Sequence, residues 1–336
     1  MRTRSILRRP SPRDIDKVTE AALRAAAGAA ARRYGSHSNV LAVSAGIKHR
    51  AKRQQDELCV QFFVKRKQRR PTTRKLPRFV YGVRRRRIDR SIKFLTDVIE
   101  VGYIKAGCGA GARTRGLGEI GTTTLLFRNK IPSSEISYFI LSCAHVIGDL
   151  TTSPPVNRPV TSPTCTAVRP FAVVLKNGTA DQGVVEYDLA VARVTEDAVR
   201  AMGRAQLDAV DCRVFKRGVV LNAFAPAQTI RPGLPVECVG AESGHGAGTV
   251  QSYASTFPVR YADVGECDVR NLFALNVPAV GGDSGSIVYA GTQAVGVIVA
   301  HARDSGWAWF HALEAGLKHL GRLKPQLPIQ CFSLST

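Results

Sequence analysis

The 336-residue chain has no apolar run long enough to span a bilayer, which needs about 20 residues. Its longest Ala-rich stretch, residues 21–31, is interrupted by Arg24 and Gly28. No secretory leader is legible, because the basic start from Met1 to Arg9 is not followed by an apolar core. The expectation is therefore a cytoplasmic protein without a transmembrane segment. None of the eight cysteines, at 59, 108, 143, 165, 212, 238, 267 and 331, forms a C-x-x-C pair. That argues against a zinc ribbon or a thioredoxin-like site and leaves isolated, mostly buried thiols as the expectation. No internal repeat and no recognised DNA- or RNA-binding motif is present. Acidic residues are scarce at one end only. Residues 1–100 hold 27 Lys and Arg against 8 Asp and Glu, a net of +19, whereas the whole chain carries +22. The remainder is nearly neutral, which supports a boundary near residue 100.

The basic part has its own texture. Asp14 to Arg33 predicts a helix, with acids at its start and arginines at its end to match the helix dipole. Its apolar face is Ala-rich and shallow, so it needs a partner surface. Val40–Ile47, Leu58–Val64 and Thr96–Val101 read as short strands, with the basic runs Lys65–Arg70 and Arg84–Arg87 between them. The expected divisions are a basic arm and helix over 1–38, a small basic α+β module over 39–105, a large β region over 106–325 and a tail over 326–336. Clustered Lys and Arg suit a polyanion such as nucleic acid, or an acidic protein partner. Phe62, Phe63, Phe79 and Tyr81 lie near the basic runs and would either stack on bases or fill the module's core.

From residue 106 glycine becomes frequent and short strand candidates recur, from Thr122–Phe127 to Ala294–Ala300. Many short strands between turn signals predict a mainly β sandwich or barrel. His311–Leu320 reads as one amphipathic C-terminal helix.

Three segments in this region carry chemistry. An apolar strand ends in Ala144-His145, Asp188 opens the apolar run Leu189–Ala192, and Gly281-Gly282-Asp283-Ser284-Gly285-Ser286 precedes Ile287–Tyr289. A serine hydroxyl is a weak nucleophile until a base takes its proton. Histidine does so near neutral pH, and a carboxylate behind it fixes the tautomer and stabilises the imidazolium. Glycines before the serine let the Gly282 and Ser284 amides point at one spot, where they would hold a developing oxyanion.

GDSGS at Gly282–Ser286, Ala144-His145 and DLAV at Asp188–Val191 resemble the three signatures of trypsin-like serine peptidases, in that family's order His, Asp, Ser, with spacings of 43 and 96 residues. The resemblance implies a chymotrypsin-like double β-barrel and a serine endopeptidase with Ser284 as nucleophile, His145 as base and Asp188 as orienting acid. It implies no cofactor and no metal. Val40–Lys48, Leu58–Lys67, Thr96–Val101 and Gly240–Val250 are similar to a bacterial and plant group of the narrow-leaf type, whose peptidase follows an N-terminal module. That implies a non-secreted enzyme able to form homo-oligomers.

The sequence departs from trypsin itself at several places. No cleavable segment with a new Ile-Val terminus precedes the peptidase region, so Asp283 lacks the partner it would have in an activated trypsin. The oxyanion hole is then either self-organised or formed when a partner binds. Pro278 stands where trypsin's Arg/Lys-selecting acid would be, so cleavage after Arg or Lys is not expected. Val299 falls where trypsin has the serine that supports the triad acid. His301 falls on the pocket wall, where it would narrow the pocket, bond a polar substrate or point to solvent. His245 reads as an exposed loop residue, and His311 as a helix-start residue or one near the back of the pocket. No PDZ-like region is seen, against an HtrA-type enzyme. The competing class is a catalytically silent binding protein that uses the peptidase fold as a scaffold.

Overall fold

The computed structural model describes all residues except 1–5, 51–52, 69–74, 85–86, 107–111, 115–119, 123–124, 129–137, 149, 151–158, 162–171, 203–212, 215–218, 222, 303–304 and 324–336. Cys108, Cys165, Cys212, Cys331, parts of both basic runs and the tail over 326–336 therefore lie outside the described residues.

The basic end builds strand β1 (Ile6–Arg8), helix α1 (Lys17–Tyr34), β2 (Val40–Arg50), β3 (Arg53–Val64), β4 (Phe79–Arg84) and β5 (Arg87–Glu100). Helix α1 begins three residues later than expected because Asp16 caps it, accepting from the Val18 and Thr19 amides at 3.0 and 2.9 Å. Its buried stripe of Ala22, Leu23, Ala26, Ala27 and Ala30 is small enough for close approach to the sheet, where Phe62, Phe94 and Val43 share its core. The strands run longer than the sequence indicates. Their outer ends at Arg53–Gln55 and Arg87–Ile88 are polar or exposed, so no hydrophobic alternation marks them.

This module packs onto the rest. The Ile47 amide donates to the Gln251 carbonyl and the Tyr253 amide to the Ala45 carbonyl, both at 2.9 Å. Phe63, fully buried, meets Phe257 and Trp307 edge-on at 5.1 and 5.7 Å between ring centroids. Ala42, Phe63, Ile99 and Val101 belong to the large hydrophobic core of the following region.

That region is mainly β, as expected. After β6 (Lys105–Ala106) comes a seven-stranded sheet that includes the neighbouring strands β7 (Tyr138–Ser142) and β8 (Ala190–Val194). A short helix, α2 (Ala144–Ile147), follows β7 directly. The last sheet holds β9 (Pro235–Gly240), β10 (Gly244–Thr249), β11 (Ser255–Tyr261), β12 (Gly265–Leu275), β13 (Ile287–Ala290), β14 (Gln293–Ala302) and β15 (Trp307–Ala312). It closes on itself: β11 pairs β12, β12 pairs β15, β15 pairs β14, β14 pairs β6 and β6 pairs β11. Helix α3 (Leu313–Leu323) follows. The expected helix over His311–Leu320 thus gives its first two residues to β15. All six residues of that strand are buried, so it shows no alternation, and sequence reasoning missed it.

Phe63→Ala should cost about 3–5 kcal/mol in urea unfolding, the usual range for emptying a buried Phe site. A loss below about 1 kcal/mol would mean that the module is only loosely seated.

Candidate active site

Local register brings the first two residues together. Antiparallel pairing sets Ser142 at the end of β7 opposite Ala190 at the start of β8. The residues just beyond those ends, His145 in α2 and Asp188 before β8, therefore meet. His145 Nδ1 lies 2.6 Å from Asp188 Oδ2, and the His145 backbone amide donates to Asp188 Oδ1 at 3.0 Å. His145 is 2% exposed and Asp188 is fully buried. Burial pushes the Asp188 carboxyl up, but the adjacent His145 charge and its hydrogen bonds outweigh this and hold the pKa below the usual value.

Two further side chains complete the carboxylate's surroundings. The Tyr261 hydroxyl, at the end of β11, donates to Asp188 Oδ2 at 3.0 Å. His311 Nε2 accepts the Asp188 backbone amide at 2.9 Å. His311 is fully buried, and desolvation lowers its pKa to about 4 despite the Asp188 charge nearby. His311 was expected at a helix start; it sits instead inside the barrel wall on β15.

The serine loop reaches the same place through shared partners. Gly285 N and Cys143 Sγ both donate to the Ile298 carbonyl, at 2.8 and 3.1 Å. Ser142 Oγ donates to the Thr122 carbonyl at 2.7 Å, and the Thr122 amide donates to the Ser284 carbonyl at 2.7 Å. The residues that precede His145 are thus tied to those around Ser284. A Cβ at Gly285 would run into the Thr122 carbonyl, and its φ of +94° also requires glycine. Ser284 is 1% exposed and its hydroxyl donates to the Val299 carbonyl at 2.8 Å. Gly282 has φ +108°, and its carbonyl accepts from the Thr122 hydroxyl at 2.7 Å.

Asp283 is held by backbone amides, a kind of partner the sequence did not suggest. Its Oδ1 accepts from the Glu242 and Ser243 amides, each at 3.1 Å, and its Oδ2 from the Val280 amide at 2.9 Å. The β9–β10 turn supplies the first two amides, and Gly240 lies too close to Asp283 for any larger residue. Neither this cage nor Tyr261 nor Thr122 was picked out from the sequence. The Gly-rich segment from Gly240 was the available signal for the cage.

The other candidates are less central. Pro278 is exposed, and His301 is 9% exposed at the end of β14, opposite Ala308, so it does not point freely to solvent. His245 is not a free loop residue: it lies on β10 with Nε2 2.6 Å from Glu237 Oε2. Among the described residues Cys59, Cys143, Cys238 and Cys267 are buried, and burial pushes Cys238 up to about 12. Cys143, His145 and Asp188 bring one donor atom each within 4.8 Å of one another, the only such metal-capable group among the described residues. Those donors are engaged with each other, with Tyr261 and with the Ile298 carbonyl.

No family model matches the chain, and no curated protein matches it. Solved structures do. Thermobifida fusca protease A aligns at 22% identity over 65% of this chain and 96% of its own, with a TM-score of 0.42. A glutamic acid specific serine protease aligns at 17% over 64% and 97%, with a TM-score of 0.43. Nocardiopsis protease aligns at 18% over 65% and 97%, with a TM-score of 0.41. These neighbours are proteases.

His311 stays neutral in the fold, while an unfolded histidine titrates near 6.5. Its contribution is complete above pH 6.5 and lost as pH falls toward about 4, a total of roughly 3 kcal/mol. His311→Gln keeps an acceptor for the Asp188 amide and should flatten the decline of urea stability over that window. An unchanged slope would mean that His311 protonates freely in the native state.

Proposed function

We propose that the chain is a serine endopeptidase in which Ser284, His145 and Asp188 act as a triad. The observation that carries this is the buried 2.6 Å pair of His145 Nδ1 and Asp188 Oδ2, tied through shared hydrogen bonds to the Ser284 loop. A proton on Nδ1, given to Asp188, leaves Nε2 as the basic nitrogen. When a peptide binds, the Ser284 hydroxyl attacks the scissile carbonyl. His145 takes the proton, then delivers it to the leaving amine, and water hydrolyses the acyl-enzyme. The Gly282 and Ser284 amides hold the oxyanion. The cage of amides on Asp283 favours a self-organised oxyanion loop over one completed by a partner. Substrate is a polypeptide, with Pro278 and His301 beside the pocket and no preference for Arg or Lys. The compartment in this reading is the cytoplasm.

A fluorophosphonate probe should label the wild-type full-length chain and leave Ser284→Ala unlabelled. Asp188→Asn should lower kcat by about 10⁴-fold, because it traps the wrong histidine tautomer. A wild-type chain that never labels would move the reading to a silent scaffold.

A second role follows from the basic module. Phe62 and Phe63 are fully buried core residues, but Phe79 and Tyr81 are 38% and 37% exposed on one face of β4. Lys93 Nζ lies 4.6 and 5.9 Å from their ring centroids, and Arg78, Arg84, Arg87 and Arg90 are exposed around them. This combination of ring faces and cations suits single-stranded nucleic acid. In fluorescence anisotropy with a labelled single-stranded oligonucleotide, Phe79→Ala with Tyr81→Ala should weaken binding about tenfold or more while heparin binding holds. An equal loss for both ligands, or no binding at low salt, would remove nucleic acid as the partner.

A further inference from the structure

We propose that Tyr261 is a positioning residue for Asp188, and that its hydroxyl sets the basicity and aim of His145. The inference rests on the peptidase reading for its functional meaning, but its geometry stands independently. Asp188 is a fully buried carboxylate, and such a group persists as an anion only with enough donors around it. Its Oδ1 accepts the His145 backbone amide. Its Oδ2 accepts two donors at once, His145 Nδ1 at 2.6 Å and the Tyr261 hydroxyl at 3.0 Å. Among the described residues the one side-chain donor besides His145 is therefore Tyr261. Its ring also lies edge-on to the His145 imidazole, 5.4 Å between centroids, so one residue contacts both members of the pair.

The hydroxyl cannot be an incidental neighbour of the site. Tyr261 is 3% exposed, and its position is fixed by the pairing of β11 with β12 and β6. Val259 and Phe257 precede it at two-residue intervals and are both fully buried, which anchors that face of β11 in the core. From the opposite side, His311 on β15 takes the Asp188 backbone amide. The side chain and the backbone of Asp188 are thus held by separate strands of the closed barrel.

The expected sign follows from the shared oxygen. A hydroxyl donated to Oδ2 draws electron density from the atom that accepts His145 Nδ1. Without it, Oδ2 becomes a stronger acceptor for the imidazolium, and His145 becomes more basic. Among the described residues the titratable groups near the pair are His311, Cys143 and Cys267 besides Tyr261 itself, with Tyr187 and His319 packed beyond His311. The buried Cys143 thiol donates to the Ile298 carbonyl. His311 is already neutral above pH 5.

The test uses the full chain with Tyr261→Phe, which removes one oxygen and keeps the ring. Two readouts are taken. The first is the NMR titration of His145 in a Ser284→Ala background, which needs no turnover. The second is peptide hydrolysis across pH in the Ser284 chain. The expected result is a His145 pKa higher in Tyr261→Phe, an acid limb of kcat displaced to higher pH, and kcat down roughly tenfold with KM unchanged. Tyr261→Leu should show the same titration shift, which separates the lost hydroxyl from a ring effect. An unchanged His145 titration in both variants overturns the positioning role, whatever the peptidase assay gives. A shifted titration in a chain that hydrolyses no peptide keeps the positioning role and removes the peptidase reading.

Discussion

Everything at the candidate site depends on keeping one carboxylate charged inside the protein. Asp188 has no access to water, and an unpaired carboxylate there would give up its charge by taking a proton. The fold answers with donors: two from His145 and one from Tyr261. Each is delivered by a different device. The backbone amide comes from the first turn of α2, the imidazole from the same residue's side chain, and the hydroxyl from a strand in the other sheet. Because the charge is stabilised by fixed groups instead of water, the His145 ring is held in one tautomer and one direction. That preorganisation is what acyl-transfer chemistry needs.

A second buried carboxylate, Asp283, is handled differently. Among the described residues its hydrogen-bond partners are backbone amides, from Val280, Glu242 and Ser243. The arrangement fixes the serine loop to the β9–β10 turn and needs no cation. It also explains why glycine is required at Gly240, where any side chain would occupy the carboxylate's space. Thr122 serves both loops. Its hydroxyl donates to the Gly282 carbonyl and accepts the Ala241 amide, while its own amide and carbonyl reach Ser284 and Ser142. A single polar residue thus ties the serine loop, the Asp283 cage and the histidine strand together.

The basic module is joined to the barrel on one side and open on the other. Its β2 edge exchanges hydrogen bonds with residues 251–253, which lead into β11. Phe63 on β3 wedges against Phe257 of β11, so the module's core and the strand that carries Tyr261 are in direct contact. The β4–β5 ribbon, farther out, keeps exposed rings and arginines. The net charge of the first hundred residues therefore belongs to an ordered sheet as well as to its loops.

The sequence by itself marked the candidate reactive groups and their order. An Ala-His after a strand, an Asp before an apolar strand and a Gly-rich turn around Ser284 are local patterns, although the strand stops at Ser142 and Ala144-His145 open α2. The mainly β class was also legible, since short strands separated by turns leave a periodic trace. What only the tertiary structure decided is the set of supports. Tyr261 lies 73 residues from Asp188, and His311 lies 123 residues from it. Their meeting depends on barrel closure and strand register, which no short pattern encodes. In β15 every residue is buried, so the two-residue rhythm that reveals a strand is absent. The partners of Asp283 are backbone amides, which every sequence possesses and which only a folded turn can aim.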